Sequence, residues 1–211
     1  MFAAIDAAIA PYPAAAMFEL RERGYATAFQ QLVACILSIR TRDEVSLVAA
    51  VRLFQVASDP ETISRLDAGE IDALIDDVTF HETKARQIHD MAVQILEDFS
   101  GDLPCDSAVM QRFSGVGPKC ANLAAGIACG EPKISVDVHV HRVTNRWGYV
   151  ATRTPVQTLA ALEERLPKER WIEINRLLVP FGKHICTGTL PKCTTCPVLD
   201  YCEQVGVTAH R

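Results

Sequence analysis

One lysine stands where a lysine is costly. Residues 113–130 read FSGVGPKCANLAAGIACG, and Lys119 sits at the edge of an Ala-rich segment built to pack. Gly115, Val116 and Gly117 form a tight connection between a short helix and the next one. Both glycines can take φ > 0 and let a backbone or a phosphate come close. Pro118 suits the first helical position, where its missing N–H costs nothing. The opening amides of that helix would hold a phosphate, whereas its dipole disfavours a cation there. A lysine held in that first turn and partly desolvated has a lowered pKa, and its neutral amine is a nucleophile. The plain alternative is a lysine that snorkels to solvent. A carboxylate to serve such an amine stands at Asp137, in SVDVHVHRVTNRWGYV, between Val136 and Val138. Asp137 also reads as the N-cap of a helix starting at Val138. The two roles are compatible, because a cap needs one oxygen.

The eight cysteines form two sets. Cys186, Cys193, Cys196 and Cys202 make a compact C-terminal group spaced C-x6-C-x2-C-x5-C. Four thiolates serve zinc or an iron–sulfur cluster equally, and the spacing leaves both open. Cys35, Cys105, Cys120 and Cys129 are scattered among apolar or helical neighbours and read as buried single thiols. His139 and His141 are two apart and would point away from each other on a helix, which argues against a chelate.

The elements that must position these groups are helical. Phe29, Leu32, Val33, Ile36 and Leu37 repeat at helical spacing, as do Ile88, Met91, Ala92, Ile95, Leu96 and Phe99. Trp171, Ile174, Leu177, Leu178 and Phe181 form a third stripe. Helix starts are expected at Asp43, at Asp59–Pro60 and at Asp106. The one alternating run, KISVDVHV, reads as a short extended entry into a helix. The class is all-α.

Composition bounds the function classes. Half the chain is apolar (49%) and the net charge is −5, which alone argues against nucleic acid. The distribution differs. Residues 1–110 hold 8 Lys+Arg and 18 Asp+Glu, a balance of −10; residues 111–211 hold 13 and 8, a balance of +5. That asymmetry suits a polyanion-facing surface in the second half. The Ala-rich start lacks a basic n-region and carries Asp6, so a signal peptide is not expected. No apolar run is long enough to span a membrane. The expectation is a soluble cytoplasmic protein.

FSGVGPKCANLAAGIA, then VDVHVHRV, then the four cysteines together resemble the endonuclease III branch of the helix–hairpin–helix DNA glycosylases, over essentially the whole chain. The resemblance implies a domain of six helices over residues 20–130. It implies a second domain, formed by residues 1–19 and 131–211, holding a [4Fe–4S] cluster on Cys186, Cys193, Cys196 and Cys202. Lys119 stands at the position of the Schiff-base lysine, and Asp137 at that of the catalytic aspartate. Gly115, Val116 and Gly117 stand at the hairpin whose amides bind a DNA phosphate, often with a monovalent cation on its carbonyls. The partner implied is double-stranded DNA containing damaged bases or abasic sites, lying across a cleft where Lys119 and Asp137 face each other. The activity implied is bifunctional, excising oxidised pyrimidines and nicking the strand, by a monomer associated with the nucleoid.

The chain departs from that family at three places. LSIRTRD puts Arg40 where relatives usually carry a Gln that fills the hole left by the flipped base. VTFHETKARQIH puts Phe80 and His81 at a wedge loop, with Lys84 and Arg86 expected on phosphates or on the solvated face of the helix. Between the first two cluster cysteines, TGTLPK supplies only Lys192 as a basic contact. These differences leave room for another base preference on the same fold, or for a damage-binding module with weak catalysis. The thin basic surface predicts DNA binding weaker than the family norm.

Overall fold

The computed structural model describes all 211 residues and contains helices and turns but no strand. The chain divides into two units. One is continuous, Ala16–Glu131; the other joins Met1–Ala15 to Pro132–Arg211.

After α1 (Phe2–Ile9), which belongs to the second unit, the continuous unit runs through α2 (Ala16–Glu22), α3 (Ala28–Ser38), α4 (Asp43–Val56), α5 (Pro60–Ser64), α6 (Ala68–Leu74), α7 (His81–Phe99), α8 (Ser107–Met110) and α9 (Pro118–Cys129). Six of these eight are helices of seven residues or more; α5 and α8 are single turns. The stripe on α3 is buried along its length, and Ile88, Met91, Ala92 and Ile95 bury one face of α7. α3 and α9 pack against each other closely. That suits the Ala-rich sequence of α9, whose small side chains let a neighbouring helix approach.

Side-chain caps mark six of the twelve α-helix starts. Thr27, Asp59 and Asp67 each close a reciprocal capping box. Asp106 accepts from the amides of Ala108 and Val109. The expected cap at Asp43 is displaced by one residue: Arg42 is the N-cap, without a side-chain bond, and Asp43 is the first helical residue. Its charge favours the helix N-terminus from there as well.

The joined unit contains α1, α10 (Val138–Arg146), α11 (Pro155–Arg165) and α12 (Trp171–His184), then two single turns of 3-10 helix at Cys193–Thr195 and Leu199–Tyr201. Its core gathers Ile5 and Ile9 of α1, Val140 and Val143 of α10, Leu162 of α11, and Ile174, Leu177, Leu178 and Phe181 of α12. The apolar start of the chain thus contributes to the core of residues 132–211. α10 and α12 approach closely at Gly182, where an added Cβ would lie 2.8 Å from His139 Cβ.

One pair of thiols departs from the sequence expectation. Cys105 and Cys129 are joined in a disulfide, S–S 2.00 Å, instead of standing as buried single thiols. Cys105 is exposed on the segment before α8 and Cys129 is the last residue of α9, so the bridge closes a ring around the whole α8–turn–α9 hairpin. Cys35 and Cys120 are buried and free of disulfides, as expected.

Candidate active site and nucleic-acid interface

Lys119 is the second residue of α9, directly behind Pro118, and is half-buried. The turn ahead of it departs from expectation in one detail. Gly115 takes φ +82°, but Gly117 takes φ −98° in extended backbone and caps α9. A Cβ on Gly117 would meet nothing within 4 Å, so its surface lies open to a ligand. Val116 is buried and its N–H donates to Phe113 O at 3.1 Å, so that amide closes the turn and is not presented outward. The Ala121 N–H bonds Gly117 O and so closes the first turn of α9.

Beneath Lys119 lie the buried thiols of Cys35 on α3 and Cys120 on α9. A hydrogen bond between them holds the Cys35 thiol below its usual range and pushes Cys120 well above it; the nearby Lys119 charge lowers both. Sequence reading singled out neither thiol for a partner.

Asp137 caps α10. Its Oδ1 accepts from the amides of His139 at 3.0 Å and Val140 at 2.9 Å. Both bonds fall on one oxygen, so Oδ2 is not needed for the cap. His139 and His141 each meet a protein side chain. Arg142 Nη2 lies 3.1 Å from His139 Nδ1, and Thr158 Oγ1 lies 2.6 Å from His141 Nδ1.

A second group of candidates gathers where the end of α3 meets the start of α7. Arg40 is exposed and left-handed at φ +56°. Phe80 is also left-handed, at φ +60°, and 57% exposed. Non-glycine residues seldom adopt this region. The Arg40 guanidinium lies 5.8 Å from the Phe80 ring centroid, a cation–π contact. Phe80 is therefore no core phenylalanine at a helix entrance; an aromatic is held out in water. His81 turns away from this pair, with Nδ1 2.6 Å from Asp72 Oδ1, and that bond raises its pKa.

Lys84 corrects the expectation of a phosphate contact. It is 4% exposed, and its Nζ donates to Leu37 O at 2.9 Å, Ile39 O at 2.7 Å and Thr41 Oγ1 at 3.3 Å. An ammonium saturated by three protein oxygens has no donor left for DNA. Burial pulls its pKa down to about 8, which still leaves it protonated at neutral pH. Arg86 is exposed, on the solvated face of α7.

Cys186, Cys193, Cys196 and Cys202 line one cavity together with Trp147, Phe181, Ile185, Leu199 and Val207. None is in a disulfide. Arg146 Nη1 lies 3.5 Å from Cys186 Sγ, and Gln204 N–H donates to Cys202 Sγ at 3.4 Å; the same sulfur lies 3.4 Å from Arg146 O. Arg146 also donates to Thr187 O and Gly188 O, which fixes the start of the loop between the first two cysteines. No three His, Cys, Asp or Glu side chains are placed to hold a single metal ion. Soft thiol donors around a shared apolar cavity, with N–H groups aimed at sulfur, fit a thiolate-ligated cluster. Lys192 is half-buried, with its ammonium 5.9 Å from the Tyr12 ring centroid. Tyr12 in turn stacks on His184 at 4.3 Å.

Residues 33–168 match the family model of the HhH-GPD superfamily base excision DNA repair protein. The chain belongs to this superfamily. Among its HhH-GPD relatives, endonuclease III of Thermotoga maritima is 35% identical over 175 residues, 83% of this chain and 82% of that protein. Endonuclease III-like protein 1 of Bos taurus is 39% identical over 171 residues, 80% of this chain but 56% of the bovine protein. A solved structure of a trapped endonuclease III–DNA covalent intermediate matches with a TM-score of 0.78, at 28% identity over 84% of each chain. The all-helical architecture is that of the HhH-GPD fold of endonuclease III.

Proposed function

We propose that this protein is a bifunctional DNA glycosylase and abasic-site lyase of base excision repair, acting on oxidised pyrimidines in duplex DNA. The observation that carries the reading is the placement of Lys119. It is a half-buried amine in the opening turn of α9, directly behind the glycine turn. The family membership and the covalent DNA intermediate of a structural relative support it.

The target base is rotated out of the stack, because its glycosidic bond is unreachable inside the duplex. Arg40 and Phe80 enter the space it leaves. The neutral Lys119 amine attacks the sugar C1′; the C1′–N bond breaks and the base departs with a proton. Loss of a proton from nitrogen and opening of the sugar give an imine between Lys119 and C1′. Removal of a C2′ proton then expels the 3′ phosphate by β-elimination, and water releases Lys119. By the family resemblance, Asp137 is the carboxylate that accepts the proton of the Lys119 ammonium and stabilises the positive charge that develops on the sugar. The opening amides of α9 hold the phosphate that keeps the sugar in line.

Cys186, Cys193, Cys196 and Cys202 would hold a [4Fe–4S] cluster. When bound, the cluster supplies a covalent closure for the C-terminal segment; these cysteines take no part in the proton and sugar chemistry above. The protein works as a monomer.

Single-turnover assays on a duplex with one thymine glycol test the proposal. Base release and strand nicking without alkali should appear together. Base release that leaves the strand intact until alkali is added would remove the lyase half. Nicking of an abasic duplex without release of thymine glycol would move the substrate elsewhere.

A further inference from the structure

The lysine expected on DNA does something else. Lys84 reaches from the first turn of α7 to the end of α3, where its Nζ gathers Leu37 O, Ile39 O and Thr41 Oγ1. The two carbonyls belong to the C-terminal end of a helix, which favours a cation. Thr41 Oγ1 also accepts from Thr79 N–H at 3.2 Å, so the same hydroxyl binds the segment leading into Phe80. Arg40 lies between two residues of this network, Ile39 and Thr41. Phe80 lies next to a third, Thr79, and its own carbonyl accepts from Lys84 N–H at 3.0 Å. Both exposed, left-handed residues are thereby fixed through their immediate neighbours. Backbone strain persists only where its surroundings over-determine it, and it clusters where a site must be preformed. Here two such residues face each other across 5.8 Å.

We infer that Lys84 is a positioning residue for lesion recognition: its buried ammonium locks the Arg40 and Phe80 loops together so that guanidinium and ring enter the duplex as one preassembled unit. This rests on the proposed reading of DNA lesions. Preassembly means that neither side chain must be ordered at the moment of insertion, and ordering long side chains on binding is costly. It also means that the two cannot act independently. Removing either one, or the lock, forfeits the same advantage.

The test is equilibrium binding to two duplexes, one intact and one carrying a single tetrahydrofuran abasic analogue. The ratio of the two dissociation constants measures lesion preference without catalysis. A failure of the proposed excision chemistry would therefore leave this ratio unchanged. Arg40→Ala and Phe80→Ala should each lower the ratio about tenfold, the order of a lost inserted side chain. The double variant should also lose about tenfold, not about a hundredfold, because the two act as one unit. Lys84→Met, of similar length but without donors, should lower the ratio about tenfold while affinity for intact duplex changes little. Thr41→Val, a milder change in the same network, should lower it in the same direction and serves where Lys84→Met fails to fold. A double variant that loses the product of the two single effects would overturn the proposal. So would a folded Lys84→Met or Thr41→Val protein with the wild-type ratio, or a wild-type protein with no preference for the abasic duplex.

Discussion

At the scale of single residues, Asp137 has a structural task and a proposed catalytic one, and one substitution can separate them. The cap on α10 uses Oδ1 alone, and an asparagine oxygen can accept the same two amides. Asp137→Asn should leave folding stability within about 1 kcal/mol. It should lower the single-turnover excision rate by a factor of about 10² to 10⁴, the usual loss when a proton acceptor is removed. A thermal melt beside the rate assay checks both halves, and an active Asp137→Asn protein would confine the residue to its structural task. The places of Lys119 in the opening turn of α9 and of Asp137 at the cap of α10 were legible in the sequence, since a lysine behind a Gly–Val–Gly–Pro turn and a carboxylate among valines are locally anomalous. The partners of Lys84 were not. Its place on the apolar stripe of α7, four residues before Ile88 and seven before Met91, marks it for the buried face where Arg86 is not, but the three oxygens that let an ammonium sit there come from the end of another helix and the turn after it. The left-handed backbone at Arg40 and Phe80 was equally hidden, because neither residue type signals that conformation.

At the scale of elements, the hairpin that carries Lys119 is held at both ends. α9 packs on α3 at one side, and the Cys105–Cys129 bridge ties its last residue to the segment before α8. The bridge closes 24 residues, and a ring of that size constrains the unfolded chain by about 3 kcal/mol. Cys105→Ser should therefore lower the unfolding free energy by about that amount in a denaturant titration, with the four C-terminal cysteines untouched. An unchanged midpoint and slope would mean that the two thiols do not pair in solution. The helices themselves were readable from their stripes and caps, apart from the one-residue displacement at Asp43. The bridge was not, because two cysteines 24 residues apart carry no spacing signal and their proximity arises only when α8 folds back on α9. The glycine turn was read half correctly. Gly115 needs its left-handed backbone, whereas Gly117 serves by leaving open space beside the helix start.

At the scale of the whole molecule, the charge is divided along the chain: −10 over residues 1–110 and +5 over residues 111–211. The structure thins the basic surface further. Lys84 is consumed internally, and Lys192 is half-buried against Tyr12. Every phosphate left unneutralised lowers the dependence of log K on log salt by about 0.9. The slope for this protein on a lesion duplex should therefore be shallower than that of Thermotoga maritima endonuclease III measured beside it, and an equal or steeper slope would contradict that reading. A shallow slope would place more of the recognition on geometry, which is what the proposed preassembled Arg40–Phe80 pair would supply. The proposed chemistry turns on one covalent event, so the most direct measurement is borohydride trapping on a duplex carrying a single thymine glycol, with the adduct mapped by peptide mass. The account predicts a protein–DNA adduct attached at Lys119 and absent from Lys119→Ala. An adduct on another residue, an adduct that survives Lys119→Ala, or none on either thymine glycol or an abasic site would contradict it.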